Sequence, residues 1–282
     1  MTQDIAASVR ARLLYLAKAE GSDFNQVLVR YTLERLLYRL SQSAHADRFV
    51  LKGALLFTLW YDMAHRATRD ADLLGFGPSD LASIGQMFRD IAGVAVKVED
   101  IRKESGYGGA RVLITGELAK ARCRAQVDIG FGDAVTPGPV QAVFPVLLAD
   151  FPAPQLRTYP VYTVIAEKLH AIALLGMTNT RLKDYLDLSV LLEREALDPM
   201  ILATAIAATF MRRGMAVPMQ LPIGLSDEFA NDATRQALWR AFLKKNALAI
   251  TPLHDTVWAL RAHLHPVIRQ AALQQIDLSK TS

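Results

Sequence analysis

Three aspartates and a glycine turn carry the chemistry this sequence could perform. Asp70 and Asp72 stand two apart at the start of an apolar run, Leu73-Leu74. Side chains alternate faces along a strand, so both carboxylates would project from one face, where they suit a hard divalent cation. Upstream, Phe49-Val50-Leu51 ends in Lys52-Gly53-Ala54 and leads into a helix-like stretch. Small residues at a helix start leave backbone N–H groups free to meet a phosphate, which the helix dipole also favours. Triphosphate and metal would then face each other. A third carboxylate, Asp128, lies on the polar side of an alternating run from Arg122 to Phe131, whose other side carries Cys123, Ala125, Val127, Ile129 and Phe131. Were that strand beside the first, Asp128 would join Asp70 and Asp72 in a site for metal ions.

Blander readings stand next to these. An Asp-x-Asp before an apolar run is also what a solvated strand edge looks like. Ser105-Gly106-Tyr107-Gly108-Gly109 reads as a hairpin turn rather than a phosphate cradle. His263-Leu264-His265 lacks a carboxylate partner at metal-ligand spacing, and neither a Gly-x-Ser-x-Gly elbow nor a Walker loop is present.

The elements that must position these residues follow from periodicity. Ile5, Val9, Leu13, Leu16 and Ala17 predict an amphipathic helix ending at Gly21, and Ser22 or Asp23 can cap a second helix through Leu40. Arg30, Arg35 and Arg39 lie mostly off its apolar face, as a solvated face or an RNA-binding one. Pro78-Ser79 starts a further helix running to Ile91. Val94–Val98 and Arg111–Thr115 read as strands. Prolines at 137, 139, 145, 152, 154 and 160 exclude a long helix over 134–160 and imply an extended crossing segment. From Val161 onward the pattern is helical, with a helix over about 182–195 and more beyond Pro199. The expected domains are 1–158, N-terminal helices plus a small mixed sheet, and 159–282, helical.

Composition narrows the class. With 282 residues, 51% hydrophobic and 21% charged, the chain can bury one large core or two modest ones, and a folded rather than a disordered chain is expected. Charges interrupt every apolar stretch short of the roughly 20 residues of a membrane span, and Met1-Thr2-Gln3-Asp4 begins no signal peptide, so a cytoplasmic protein without membrane contact is expected. The single cysteine, Cys123, excludes an internal disulfide and a cysteine-based zinc site. A net charge of +4 permits a nucleic-acid partner without demanding one.

Four blocks now carry a resemblance. Phe49-Val50-Leu51-Lys52-Gly53, then Arg66-x-Thr68-x-Asp70-x-Asp72-Leu73-Leu74, then Ala166-Glu167-Lys168-Leu169, then Arg181-x-Lys183-Asp184-x-x-Asp187-Leu188 are together similar to the AbiEii family of toxin nucleotidyltransferases. The resemblance implies an α/β (α+β) fold, a small mixed-sheet core flanked by N-terminal helices and a C-terminal helical domain. It implies transfer from a nucleoside triphosphate, with Mg2+ or Mn2+, to an RNA acceptor such as the 3′ end of transfer RNA. Nucleotidyl transfer can be served by two metal ions roughly 3.5 to 4 Å apart, acting on the attacking and leaving oxygens. Asp70 and Asp72 would hold metal, and Asp128 would be a third ligand or receive the hydroxyl's proton. Lys168 would grip the triphosphate and Asp184 would order the site. Lys52, Gly53, Ala54, Thr68 and Arg69 would line the nucleotide. A cognate antitoxin is implied, with or without direct binding. Ala54 stands where Gly or Ser is usual, Thr68 where Ser is common and Ala71 where Leu is. Three readings compete with this one: transfer to a small molecule or to a protein hydroxyl, a degenerate nucleotide-binding module, and ordinary surface charges at Glu167, Lys168, Arg181 and Asp184.

Overall fold

The computed structural model describes residues 4–61, 68–102 and 108–280. Arg66 and Ser105-Gly106-Tyr107 lie outside the described residues. The chain forms two compact units, Met1–Gly132 with Val140–Thr158, and Asp133–Pro139 with Tyr159–Ser282.

The first unit contains α1 (Ile5–Glu20), α2 (Phe24–Ser41), β1 (Phe49–Lys52), α3 (Leu55–Tyr61), β2 (Asp70–Gly75), α4 (Leu81–Ala92), β3 (Val96–Arg102), β4 (Gly108–Leu118), β5 (Ala121–Phe131), β6 (Val140–Val143) and β7 (Gln155–Thr158). The strands make one mixed seven-stranded sheet in the order β3-β4-β5-β2-β1-β7-β6. β2 runs parallel to β5 and β1 parallel to β7, while the other neighbours are antiparallel.

Local chemistry sets the helix ends. Asp4 caps α1 through the Ala7 amide, and the left-handed Gly21 closes it. The Asp23 carboxylate accepts from the Asn25 and Gln26 amides to start α2. Asp80, rather than Pro78 or Ser79, caps α4. Val9, Leu13 and Ala17 of α1 pack on Val27, Leu28 and Tyr31 of α2 together with Cys123 of β5. Burial pushes the Cys123 thiol up, as suits a small apolar residue rather than a nucleophile.

Two expectations change. The proline-rich stretch is extended, but it also supplies β6 and β7. All six prolines lie outside those strands, so no ladder hydrogen bond is lost. The arginines of α2 are turned to internal use: Arg30 pairs with Glu20 (2.8 Å), Arg35 donates to the Pro152 carbonyl (2.8 Å), and Arg39 donates to the Ala92 carbonyl.

The second unit is helical: α5 (Val161–Leu175), α6 (Leu182–Arg194), α7 (Pro199–Arg212), α8 (Asp227–Asn231), α9 (Ala233–Lys245) and α10 (Leu253–Lys280). α5 packs against α6 and α7, and α10 against α6 and α7. Within Val161–Thr178, 18 residues have the length and composition of a membrane span. The fully buried Ile165, Ala166, Leu169 and Ile172 make α5 the core helix of this unit. Its segment 133–139 is tied to α5, where Thr163 Oγ1 accepts from the Thr136 amide (2.9 Å).

Candidate active site

β2 carries the two motif carboxylates on the partly accessible side of the sheet, with buried Ala71 and Leu73 facing the core. Asp72 is the register partner of Lys52 in β1 on one side and of Asp128 in β5 on the other. Asp128 in turn faces Arg111 of β4. Partners in register share a face, so Arg111, Asp128, Asp72 and Lys52 form one row across four strands, with two carboxylates between two cations.

The row is braced at both ends. Arg111 forks onto Asp128, Nε to Oδ1 at 2.8 Å and Nη2 to Oδ2 at 2.7 Å, the planar geometry that guanidinium and carboxylate share. The hydrogen bond to Asp128 raises the Arg111 pKa and keeps the guanidinium charged. Gln126, opposite Asp70, donates to Asp128 Oδ1 at 3.3 Å. At the other end, β1 turns through Gly53-Ala54 into α3. Gly53 sits at φ +76°, and a β-carbon there would lie 2.1 Å from Asp72 Oδ2. Only glycine accepts both that backbone and that contact. Asp70 is oriented by Thr68, whose Oγ1 donates to Oδ1 at 2.8 Å, and Arg69 beside it is exposed.

The donor set bears on a metal. Among the described residues no three His, Cys, Asp or Glu side chains converge to hold an ion. Asp70 and Asp72 share one face two residues apart, whereas both Asp128 oxygens are engaged by Arg111. Magnesium is commonly held by one or two carboxylates plus substrate phosphates and waters, and an Asp70–Asp72 pair fits that pattern.

The other two motif blocks meet inside the second unit. Lys168 of α5 reaches Asp184 Oδ1 at 3.0 Å and Asp187 Oδ2 at 2.5 Å, and Arg181 Nε donates to Asp184 Oδ2 at 2.7 Å. Both aspartates are fully buried and the Lys168 side chain is 12% exposed, so these are not ordinary surface charges. Burial alone would lower the Lys168 pKa, but Asp184 and Asp187 outweigh it and the net direction is up. Burial likewise works against the Asp184 carboxylate, and Lys168 and Arg181 hold it below its ordinary range. An ammonium has three N–H donors, and these carboxylates take two.

Sequence reasoning missed Arg111, which sits directly across from Asp128 only once register is known. It also passed over Asp187, although Asp184 and Asp187 three apart on a helix already share a face.

A family model described as nucleotidyl transferase AbiEii toxin, type IV TA system, matches residues 35–264. A crystal structure from H. pylori described as a candidate nucleotidyltransferase is 15% identical with a TM-score of 0.46, the match covering 90% of this chain and 96% of that one. JHP933 from Helicobacter pylori is 15% identical with a TM-score of 0.44, covering 88% of this chain and 91% of the other. Among curated proteins none matches the chain.

Proposed function

The chain belongs to the AbiEii nucleotidyltransferase toxin family of type IV toxin–antitoxin systems, and from that membership we propose that it transfers nucleotides from a nucleoside triphosphate to an RNA acceptor, the 3′ end of transfer RNA. The observation that carries this reading is the contact of Asp72 with the Gly53 turn, because it sets a carboxylate against the small-residue turn where phosphates would lie.

Asp70 and Asp72 would hold Mg2+ or Mn2+ in this reading, and such an ion would supply neutralisation of phosphate charge and a lower pKa for the attacking hydroxyl. Thr68 keeps the Asp70 carboxylate turned toward that site. The Gly53-Ala54 backbone, Lys52 and Arg69 bind and orient the triphosphate. Asp128, whose two oxygens are held by Arg111, would receive the proton of the attacking hydroxyl rather than join Asp70 and Asp72 on the ion. Lys168, kept charged by Asp184 and Asp187, is the cation that family membership assigns to the triphosphate, where a compact ammonium would stabilise the leaving pyrophosphate. The protein acts in the cytoplasm beside a cognate antitoxin, with or without direct binding.

The test supplies each α-labelled nucleoside triphosphate with Mg2+ and total transfer RNA, then resolves the products. Label at RNA 3′ ends, lost in Asp70→Asn, is the expected result. Label entering only a protein or a small molecule would move the acceptor to that class.

A further inference from the structure

A cavity of about 900 Å3 lies within the first unit, lined by α2, by Leu55 and Thr58 of α3, by Thr68 and Arg69, and by the 144–147 segment. That volume is within the roughly 300 to 1,000 Å3 of small-molecule sites. Its walls are apolar at Leu16, Val29, Leu33, Leu55 and Phe144.

The polar lining divides in two. Asp23 is used to cap α2, Glu20 holds Arg30, and Glu34, 2% exposed, accepts from the Leu147 amide at 2.7 Å. The exposed side chains of Asn25, Gln26 and Arg69 make no hydrogen bond or ion pair among the described residues. A slot with apolar walls, carboxamides that both donate and accept, and a guanidinium at its edge suits a flat heteroaromatic base joined to a phosphate. Thr68 lines the cavity and hydrogen-bonds the Asp70 carboxylate, so the cavity reaches the residue that orients the candidate catalytic strand.

We propose that this cavity binds a ribonucleoside of the transfer reaction, carried either by the incoming triphosphate or by the 3′ end of the acceptor. The inference rests on the transferase reading above and adds the place where a base is recognised.

Two variants of the full chain test it. Val29→Trp fills the cavity from a half-buried position, and Gln26→Ala removes an exposed carboxamide. Dissociation constants for ATP, CTP, GTP and UTP with Mg2+, and for total transfer RNA, are measured by calorimetry, with folding checked by circular dichroism. One ligand class should weaken tenfold or more in Val29→Trp and threefold or more in Gln26→Ala. A loss confined to triphosphates identifies the incoming nucleotide, and one confined to RNA identifies the acceptor. Should Val29→Trp unfold, Gln26→Ala decides alone. Constants within twofold of wild type for both ligand classes overturn the proposal, and if wild type still labels RNA the transferase reading survives. Weakened binding by the variants without any RNA labelling by wild type keeps the cavity and rejects the acceptor.

Discussion

Asp72 Oδ2 occupies the space where a side chain at residue 53 would begin, 2.1 Å from where a β-carbon of Gly53 would sit. Gly53→Ala therefore combines a left-handed backbone strain of about 1 to 2 kcal/mol with displacement of the carboxylate. Transfer should fall at least a hundredfold while urea denaturation reports a stability loss of that modest size. Wild-type turnover in the folded variant would show that the position of Asp72 is immaterial to the reaction.

Asp72→Asn keeps the side-chain shape and removes the charge. Transfer should drop by about a thousandfold or more, on the order of 4 kcal/mol in the barrier, with the circular dichroism spectrum unchanged. Excess chelator should abolish wild-type transfer, and added Mg2+ or Mn2+ should restore it. Persistent activity in chelator would remove the metal from the mechanism.

Lys168→Ala strips the cation from two fully buried carboxylates, Asp184 and Asp187. Breaking a buried pair from one side costs about 3 to 5 kcal/mol, and triphosphate affinity should fall at least tenfold along with the single-turnover rate. Lys183 is exposed on α6, and Lys183→Ala should change stability by less than about 0.5 kcal/mol and leave both kinetic quantities alone. Equal and small effects in the two variants would withdraw the phosphate role of Lys168.

His170 supplies a pH dependence. Burial first, then the nearby Arg213, lowers its pKa from 6.5 to about 4, against a smaller opposing effect of Asp133. Arg213 Nη1 lies 3.4 Å from His170 Nδ1, Arg213 also pairs with Asp133 and Glu167, and Phe210 packs edge-on against the imidazole. The folded protein thus holds a neutral imidazole, and the unfolded chain binds a proton more readily. That contribution is fully present above pH 6.5 and is lost as pH falls toward 4, by about 3 kcal/mol at most. Urea midpoints at pH 7 and pH 4 should differ less in His170→Phe than in wild type, and identical pH dependence in the two would exclude this origin.

What the sequence by itself determined was local. The alternation along β5 shows which side of the strand is polar at Asp128, spacing two apart puts Asp70 and Asp72 on one face, and Gly21 with Asp23 marks where α1 stops and α2 starts, because each pattern depends only on neighbouring backbone geometry. The order of motif blocks was also enough to identify the family. Tertiary structure alone decided the partners. Alternation names a face but not the strand beside it, so the Arg111–Asp128 fork, 17 residues apart in sequence, exists only because β4, β5, β2 and β1 are adjacent and in register. The same holds for the Asp72–Gly53 contact and for Lys168 between Asp184 and Asp187. Strand order and helix contacts come from burying the whole apolar surface of each unit at once, a requirement spread over the chain and written in no single stretch of it.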